Sequence, residues 1–579
     1  MSSLPSDLHR PMDADALDAD LATLAGSKQA WARSTPAARI AVLKQIKDAL
    51  ITVAETWATT AAKHKLIPAD SQHVGEEWVS GPYAVMSACN QLIETLSHLD
   101  NKAFLKGLPT RERPDGQVIV RVTPHSVWDS LLLSGVEADI WMQPEVTRDT
   151  LAANTASAYD SKESDRDGAV SLILGAGNIA AIAPLDCFYK LFSEHEVCLL
   201  KMNPVNDYLI PFLQTALAPL IALDALRIVR GGADVGEYLC NHESIDNIHI
   251  TGAVTTHDAI VWGTGETAKA NRAANTPLTD KPVTSELGGV CPTIVVPGAW
   301  SAADIRFQAE QIATQKLHNS GFNCIACQVL VVPEDWEHTD TLLAAVEDVM
   351  KTLPPRGLYY PGSESRLERF AEHASDAKRF DRGDAPACVV SAMDPNDEWM
   401  ANNEVFAPAL SVVRFPSTDT AAYIKNAIDW CNNTLNGTLG ANILLDPKTE
   451  KKLGAQAFED MIAELHYGCI AINAWTGLGF LMAQGTWGAF PGHTLQDAQS
   501  GIGVVHNTFL FDKPERTVVR APFRPFPRTV ASGGMTMLPR PPWFVTNTQQ
   551  HNIGKALTHF QHHPSWLKIP GVFFYALQG

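Results

Sequence analysis

A thiol and a carboxylate are the first residues in this sequence that could do chemistry together. Ser285-Glu-Leu-Gly-Gly289 runs into a glycine pair, which sets Glu286 beside close backbone; Asn319-Ser-Gly-Phe-Asn-Cys324, followed by Ile-Ala-Cys327, puts a thiol after a glycine-containing turn. A cysteine can attack a carbonyl carbon once it is deprotonated, and a glutamate can manage the proton. By residue type alone the pair says little, because most Cys and Glu residues in loops between apolar elements are incidental. A third feature is Val170-Ser-Leu-Ile-Leu-Gly-Ala-Gly-Asn178-Ile-Ala180, which matches the G-x-G-x-x-A dinucleotide pattern directly after a strand-like run. Glu194 and Glu196 follow about 20 residues on, where a ribose-binding acid is sought. A plain glycine turn between strand and helix reads the same residues equally well.

The elements that must position these groups are legible from periodicity. From Asp15 to about Lys65, Leu17, Leu21, Leu24, Trp31, Ile40, Leu43, Ile46 and Leu50 recur at helical intervals, with Thr35-Pro36 as cap and first turn. A second helical region spans Trp78 to Leu99. Gly116 to Trp141 holds the alternating run Gln117-Val-Ile-Val-Arg-Val-Thr123, one arm of a hairpin, and the polar stretch Tyr159 to Gly168 is a loop. Strands are expected at Val170 to Leu174, Val197 to Lys201, Leu226 to Val229, Ile245 to Ile250 and Thr293 to Val296, then at Val329 to Val332, Cys388 to Ser391, Ala409 to Arg414 and Gly440 to Leu444. Helix-like runs such as Leu342 to Met350 and Thr420 to Asn426 separate them. Such alternation predicts two α/β domains in series, each with a parallel sheet. From about Arg520 the chain is rich in Pro, Arg and aromatics, and Pro522, Pro525, Pro527, Pro539, Pro541 and Pro542 prevent regular helix over much of this segment, which is expected to wrap over the folded body.

The order of these features, taken with Lys201, Thr251-Gly252 and Glu404-Val-Phe406-Ala-Pro408, resembles the aldehyde dehydrogenase superfamily. Asp246-Asn-Ile-His-Ile-Thr-Gly252 is similar to the family's strand ending in Thr-Gly-Ser, Glu286-Leu-Gly-Gly289 to its general-base motif, and Gly321-Phe-Asn-Cys324 to its nucleophile motif. The resemblance runs from about Ser27 to about Arg520. It implies a Rossmann-like cofactor domain (1–115 and 168–287), a bridging oligomerisation segment (116–167), a catalytic domain (288–500) and a C-terminal oligomerisation strand with a Pro-rich extension (501–579). It also makes Gly175-Ala-Gly-Asn178 something other than a pyrophosphate loop, since the family places there an Asn that helps bind an oxyanion. The interval from Asn178 to Lys201 supports that register. The alternative, Asp186 of Pro184-Leu-Asp186, would set a carboxylate against a developing negative charge.

The reaction implied by the resemblance is NAD(P)-dependent oxidation of an aldehyde to a carboxylic acid. Cys324, activated by local dipoles, by the cofactor's positive ring or by Glu286 through water, attacks the carbonyl; Asn178 and the Cys324 N–H hold the alkoxide; Glu286 directs water onto the thioester. Lys201, Gly236, Gly252, Glu404 and Phe406 match cofactor-binding positions, the cofactor being NAD or NADP because Pro204 stands where NAD-preferring members often carry Glu. Three departures mark a divergent member: Ala253 for Ser, Phe322 for Gln, and Ala176-Gly-Asn178 for Pro-Trp-Asn. Three other readings stay open: a coenzyme A-linked acylating enzyme, a catalytically silent member, and a Rossmann dehydrogenase using the glycine turn for pyrophosphate.

Bulk properties set the remaining bounds. A net charge of -19 without basic clusters excludes a nucleic-acid surface. Ten cysteines without regular spacing and no export segment at Met1 to Asp20 fit free thiols in a cytoplasmic protein, and no apolar run is long enough to insert in a membrane. Cys187, Cys198, Cys240, Cys291 and Cys327 read as small core residues, no Cys/His spacing predicts a metal, and His506, His551, His559, His562 and His563 read as solvated or packed side chains. Trp475, Phe480, Trp487 and Phe490 suit a tunnel for an apolar aldehyde or ordinary core equally. The segment Thr264 to Leu278 is expected as a long loop. A hairpin with an exposed edge strand predicts a homodimer or homotetramer.

Overall fold

The computed structural model describes residues 12–374, 376–383, 385–532 and 536–579. The chain opens with two long helices, α1 (Ala14–Ala32) and α2 (Pro36–His64), and Thr35 caps the second by accepting from the Ala38 N–H. The helical region around Trp78 is α3 (Val74–Trp78) and α4 (Ala84–Ser97), joined through a wider turn at Val79–Tyr83 where Pro82 removes a donor.

Next comes the predicted hairpin. It is β1 (Thr110–Glu112), β2 (Val118–Thr123) and β3 (Glu137–Met142). β3 pairs antiparallel with the strand Pro514–Arg520, which runs parallel to Cys469–Ile472 and stitches the hairpin into one larger sheet. On its other side the hairpin ends at the three-residue β1, the outermost strand of that sheet.

Five further strands, β4 (Val170–Leu174), β5 (Val197–Lys201), β6 (Leu226–Val229), β7 (Asn247–Gly252) and β8 (Val283–Leu287), form a parallel sheet in the order β8-β7-β4-β5-β6, edged by Gly501–Ile502 beside β8. The order reverses between β4 and β7. In open α/β sheets ligands bind in the crevice beyond the carboxyl ends at such a reversal. The core strands are apolar throughout because both faces are covered: all five residues of β4 and of β5 are buried.

The second sheet holds β9 (Cys291–Val295), β10 (Cys327–Pro333), β11 (Lys378–Arg382), β12 (Ala385–Ala392), β13 (Ala409–Phe415), β14 (Gly440–Leu444) and β15 (Cys469–Ile472), eleven strands in all once the hairpin and Pro514–Arg520 are counted. Two α/β layers follow as the periodicity predicts. Two local expectations are corrected. Thr264 to Leu278 is a helix, Gly265–Ala274, whose residues bury no face and so give no periodic signal. The C-terminal segment is extended only through its proline-rich part and then forms the helices Gln550–His562 and Ile569–Ala576. No described helix is long and apolar enough to cross a membrane.

Candidate active site

Cys324 lies in the turn between the helix Ala302–Leu317 and β10. That helix starts at a capping box, with Ser301 accepting from the Asp304 N–H and Asp304 accepting from Ser301, and its end feeds a tight bend in which Asn319, Ser320 and Gly321 all take positive φ. Left-handed backbone costs a non-glycine residue roughly 1–2 kcal/mol, so the bend must be held from outside. Glu76 of α3 accepts the Asn319 N–H at 3.0 Å, Tyr359 donates to Asn319 Oδ1 at 3.0 Å, and Asn323 Nδ2 donates to the His318 carbonyl at 2.9 Å. Glu76 is itself paired with Arg356 at 2.5 Å inside the protein, beside a second buried pair, Lys65 and Glu77, at 2.8 Å.

Nine of the ten cysteines are buried; Cys324 alone is partly exposed. Its Sγ is 3.5 Å from Glu286 Oε1, to which the thiol donates directly. Glu286 is the penultimate residue of β8, opposite Thr251 of β7, so the carboxylate stands near the carboxyl edge of the five-stranded parallel sheet. Trp487 Nε1 donates to the same Oε1 at 2.7 Å, while Oε2 is buried without a hydrogen bond among the described residues. Burial pushes the Glu286 carboxyl up to about 7, and the hydrogen bonds from Trp487 and Cys324 hold it from rising further. Burial also pushes the Cys324 thiol well above its usual range, and the Glu286 and Glu404 carboxylates add to it.

Asn178 shares with Cys324 a cavity of about 40 Å³, lined also by Ile179, Trp475, Phe480 and Trp487. Its Nδ2 donates to the Phe322 carbonyl at 3.0 Å, and its own carbonyl accepts from Asn319 and Tyr359, which fixes the loop after β4 to the nucleophile bend. The Cys324 N–H makes no hydrogen bond among the described residues. Asp186, the rejected register, lies beneath the site, buried and accepting from Thr251 Oγ1 at 2.8 Å. Of the four aromatics read as tunnel or core, Trp475, Phe480 and Trp487 line the cavity; Phe490 stacks on His466 elsewhere. His506 is buried against Phe480.

Of the proposed cofactor positions, Lys201 and Gly252 stand at the carboxyl ends of two strands of one sheet, and Glu404 lies against the glycine pair that follows a third. Lys201 closes β5 and is 9% exposed, and its ammonium has no ion pair or hydrogen bond among the described residues; burial lowers its pKa against the pull of Asp234. Gly252 closes β7 and is exposed. Gly236 sits in the helix Ala233–Asn241 facing open space. Glu404 presses on the glycine pair: a Cβ on Gly288 would lie 2.2 Å from Glu404 Oε2, which explains why Glu286-Leu is followed by glycine. Glu404 Oε1 is buried without a partner among the described residues, and burial pushes the carboxyl up to about 7 against Lys316 and Arg366. Phe406 packs on Tyr360 and Phe322, with ring centroids at 5.0 and 5.8 Å. Sequence reasoning missed Tyr359, Glu76 and Arg356, which position the bend; the stretch Leu353 to Gly362 carries no periodic signal that could have found them.

Comparison with known proteins points to one family. The family model for the aldehyde dehydrogenase family matches residues 211–357. The chain is 28% identical over 223 residues to N-succinylglutamate 5-semialdehyde dehydrogenase 1 of Caulobacter vibrioides, covering 35% of this chain and 43% of that protein. It is 28% identical over 316 residues to coniferyl aldehyde dehydrogenase of a Pseudomonas species, covering 51% and 59%. The matched stretches thus span about half the length of these relatives. Among solved structures, the NAD-dependent aldehyde dehydrogenase from Sinorhizobium meliloti superposes with a TM-score of 0.58 at 19% identity, covering 89% of this chain and 88% of that one. An indole-3-acetaldehyde dehydrogenase complexed with NAD+ gives 0.58 at 18% identity, covering 88% of each. The chain is thus similar in sequence to aldehyde dehydrogenases over part of its length and similar in fold to their solved structures over most of it.

Proposed function

We propose that this protein oxidises an aldehyde to a carboxylic acid through a thioester on Cys324. The observation that carries the reading is the chain Cys324 Sγ, Glu286, Trp487: a largely buried thiol donating to a buried carboxylate that an indole N–H holds in place. A base whose pKa lies near 7 can take a proton from a thiol or a water and release it again near neutral pH. The contact is direct, so Glu286 can activate the thiol without the intervening water expected from sequence. As the thiolate attacks, the developing oxyanion has two donors in reach of the same cavity, the unspent Cys324 N–H and the Asn178 amide. Each such donor, set before charge appears, lowers the barrier by about 3–4 kcal/mol.

Lys201, Gly236, Gly252, Glu404 and Phe406 would hold NAD or NADP: an unpaired ammonium suits a ribose or phosphate oxygen, and the orphaned Glu404 oxygen suits a sugar hydroxyl. When bound, the nicotinamide supplies the acceptor for the two electrons the aldehyde carbon loses. Glu286 then takes a proton from the water that hydrolyses the acylated Cys324, and its retention beside the thiol favours water over coenzyme A. A cytoplasmic homo-oligomer remains part of this reading, on the family resemblance alone.

The test is reduced-cofactor formation from a panel of aldehydes with NAD or NADP, with and without coenzyme A, beside Cys324→Ala. Turnover without coenzyme A that the substitution abolishes is expected. Turnover that needs coenzyme A, or that survives the substitution, contradicts the proposal.

A further inference from the structure

Beyond the Cys324 cavity the protein opens a second and larger one, whose outer wall belongs to the C-terminal segment. The inner cavity, about 40 Å³, has room for the reacting end of a substrate and little else. Val79 and Leu481 line it and also line a neighbouring cavity of about 450 Å³, a volume typical of small-molecule sites. Pro542, Trp543, Leu557 and Phe560 form part of the far wall.

The wall is built rather than loosely laid. A Cβ on Gly75 would stand 2.2 Å from the Gln550 carbonyl carbon and one on Gly554 2.8 Å from Trp78 Cβ, so two glycines let the helix Gln550–His562 cross α3 at backbone contact. Asn90 Nδ2 donates to the Gln561 carbonyl at 2.9 Å and to its Oε1 at 2.7 Å, and Trp128 meets Phe560 edge-on at 5.2 Å. Closer to the catalytic body, Arg524 and Arg528 grip Asp304 of the capping box that starts the helix leading to Cys324.

Charge narrows what the outer cavity can take. Among its described lining residues Glu94 and Asp129 are acidic and none is Lys or Arg. A carboxylate entering here would lose water and find no counter-ion. The remaining wall is mixed: Asn90, Gln91, His125 and Gln484 offer uncharged hydrogen-bonding groups, and Trp128, Trp543 and Phe560 offer flat faces that suit an apolar ring.

We propose that the C-terminal segment completes the substrate site, and that the aldehyde this protein takes carries an uncharged, apolar tail of aromatic size, seated in the outer cavity while its formyl group reaches Cys324. The proposal rests on Cys324 as the nucleophile. It is tested with propanal, cinnamaldehyde and 4-carboxycinnamaldehyde on the full-length wild type and on Leu557→Trp, which fills the outer cavity. Cinnamaldehyde should exceed its carboxylated analogue in kcat/KM by about 100-fold or more, and Leu557→Trp should lower the cinnamaldehyde-to-propanal ratio about tenfold. The smaller Leu557→Phe should move the ratio in the same direction by less, which keeps the test alive if the larger side chain prevents folding. Equal turnover of the charged and neutral pair, or a ratio untouched by both substitutions, overturns the proposal. If the wild type oxidises none of the three, the reading of Cys324 fails by itself, and calorimetric titration with cinnamyl alcohol decides the cavity: binding that Leu557→Phe weakens upholds it, and absent or unaltered binding overturns it.

Discussion

Two glutamates lie inside this protein on either side of the nucleophile bend, Glu76 at 3% exposure and Glu286 at 2%, and their carboxyl groups are driven in opposite directions. Burial pushes both up. For Glu76 that push is outweighed by Arg356 at 2.5 Å, with His318, His73 and the Arg356 hydrogen bond adding to it, and the group falls to about 2. For Glu286 the only opposition is an indole N–H and a thiol, and the group rises to about 7. The same side chain is thus a fixed anion where it clamps the bend and a group that titrates near neutral pH where it meets Cys324. What separates them is whether a guanidinium is within reach.

The comparison breaks most visibly if the clamp is stranded. Arg356→Met leaves Glu76 buried and unpaired, and should cost about 3–5 kcal/mol in urea unfolding; a loss below about 1 kcal/mol would show that Glu76 is not held as an anion. Glu286→Gln should act the other way on stability. Because the folded carboxyl sits above its unfolded value of 4.5, the folded state holds its proton more tightly, and that stabilisation is complete below 4.5 and lost as pH rises to about 7. At pH 8 the substitution should therefore stabilise the protein by on the order of 3 kcal/mol while lowering activity, and at pH 4 the stability difference should vanish.

Glu76 gives the mirror image. Its folded value is depressed, so its contribution is present above 4.5 and is lost as pH falls toward about 2. By pH 3 the stability difference between wild type and Glu76→Gln should have shrunk by about 2 kcal/mol relative to pH 6, read from paired urea midpoints. The smallest effect belongs to Trp487→Phe, which removes one donor from Glu286. The acid limb of the kcat/KM profile should move up by about one pH unit, and an unmoved limb would mean that Glu286 is not the titrating base.

Much of this was legible in the chain, for identifiable reasons. Strands such as Val170–Leu174 are buried on both faces and so read as unbroken apolar runs. Cys324, Glu286 and Asn178 were found because each sits in a short glycine-bearing motif at the end of an element. Trp487 was seen only as tunnel or core, because its bond to Glu286 joins residues 201 positions apart. Glu76 and Arg356, 280 positions apart, carry no local pattern at all. The helix Gln550–His562 was hidden by the prolines before it and by its polar composition, and the register of Pro514–Arg520 on β3 joins residues too far apart in the chain to leave a local pattern.

The central claim is that Glu286 serves a thioester on Cys324, and stopped-flow cofactor reduction by Glu286→Gln, with mass spectrometry of the quenched protein, tests it most directly. Because Glu286 serves both the thiol and the water, the account predicts that reduced cofactor and an acyl adduct on Cys324 form more slowly than in the wild type and that the adduct, once formed, is released more slowly still. Wild-type turnover in the variant, or reduced cofactor formed while Cys324 carries no adduct, would contradict it.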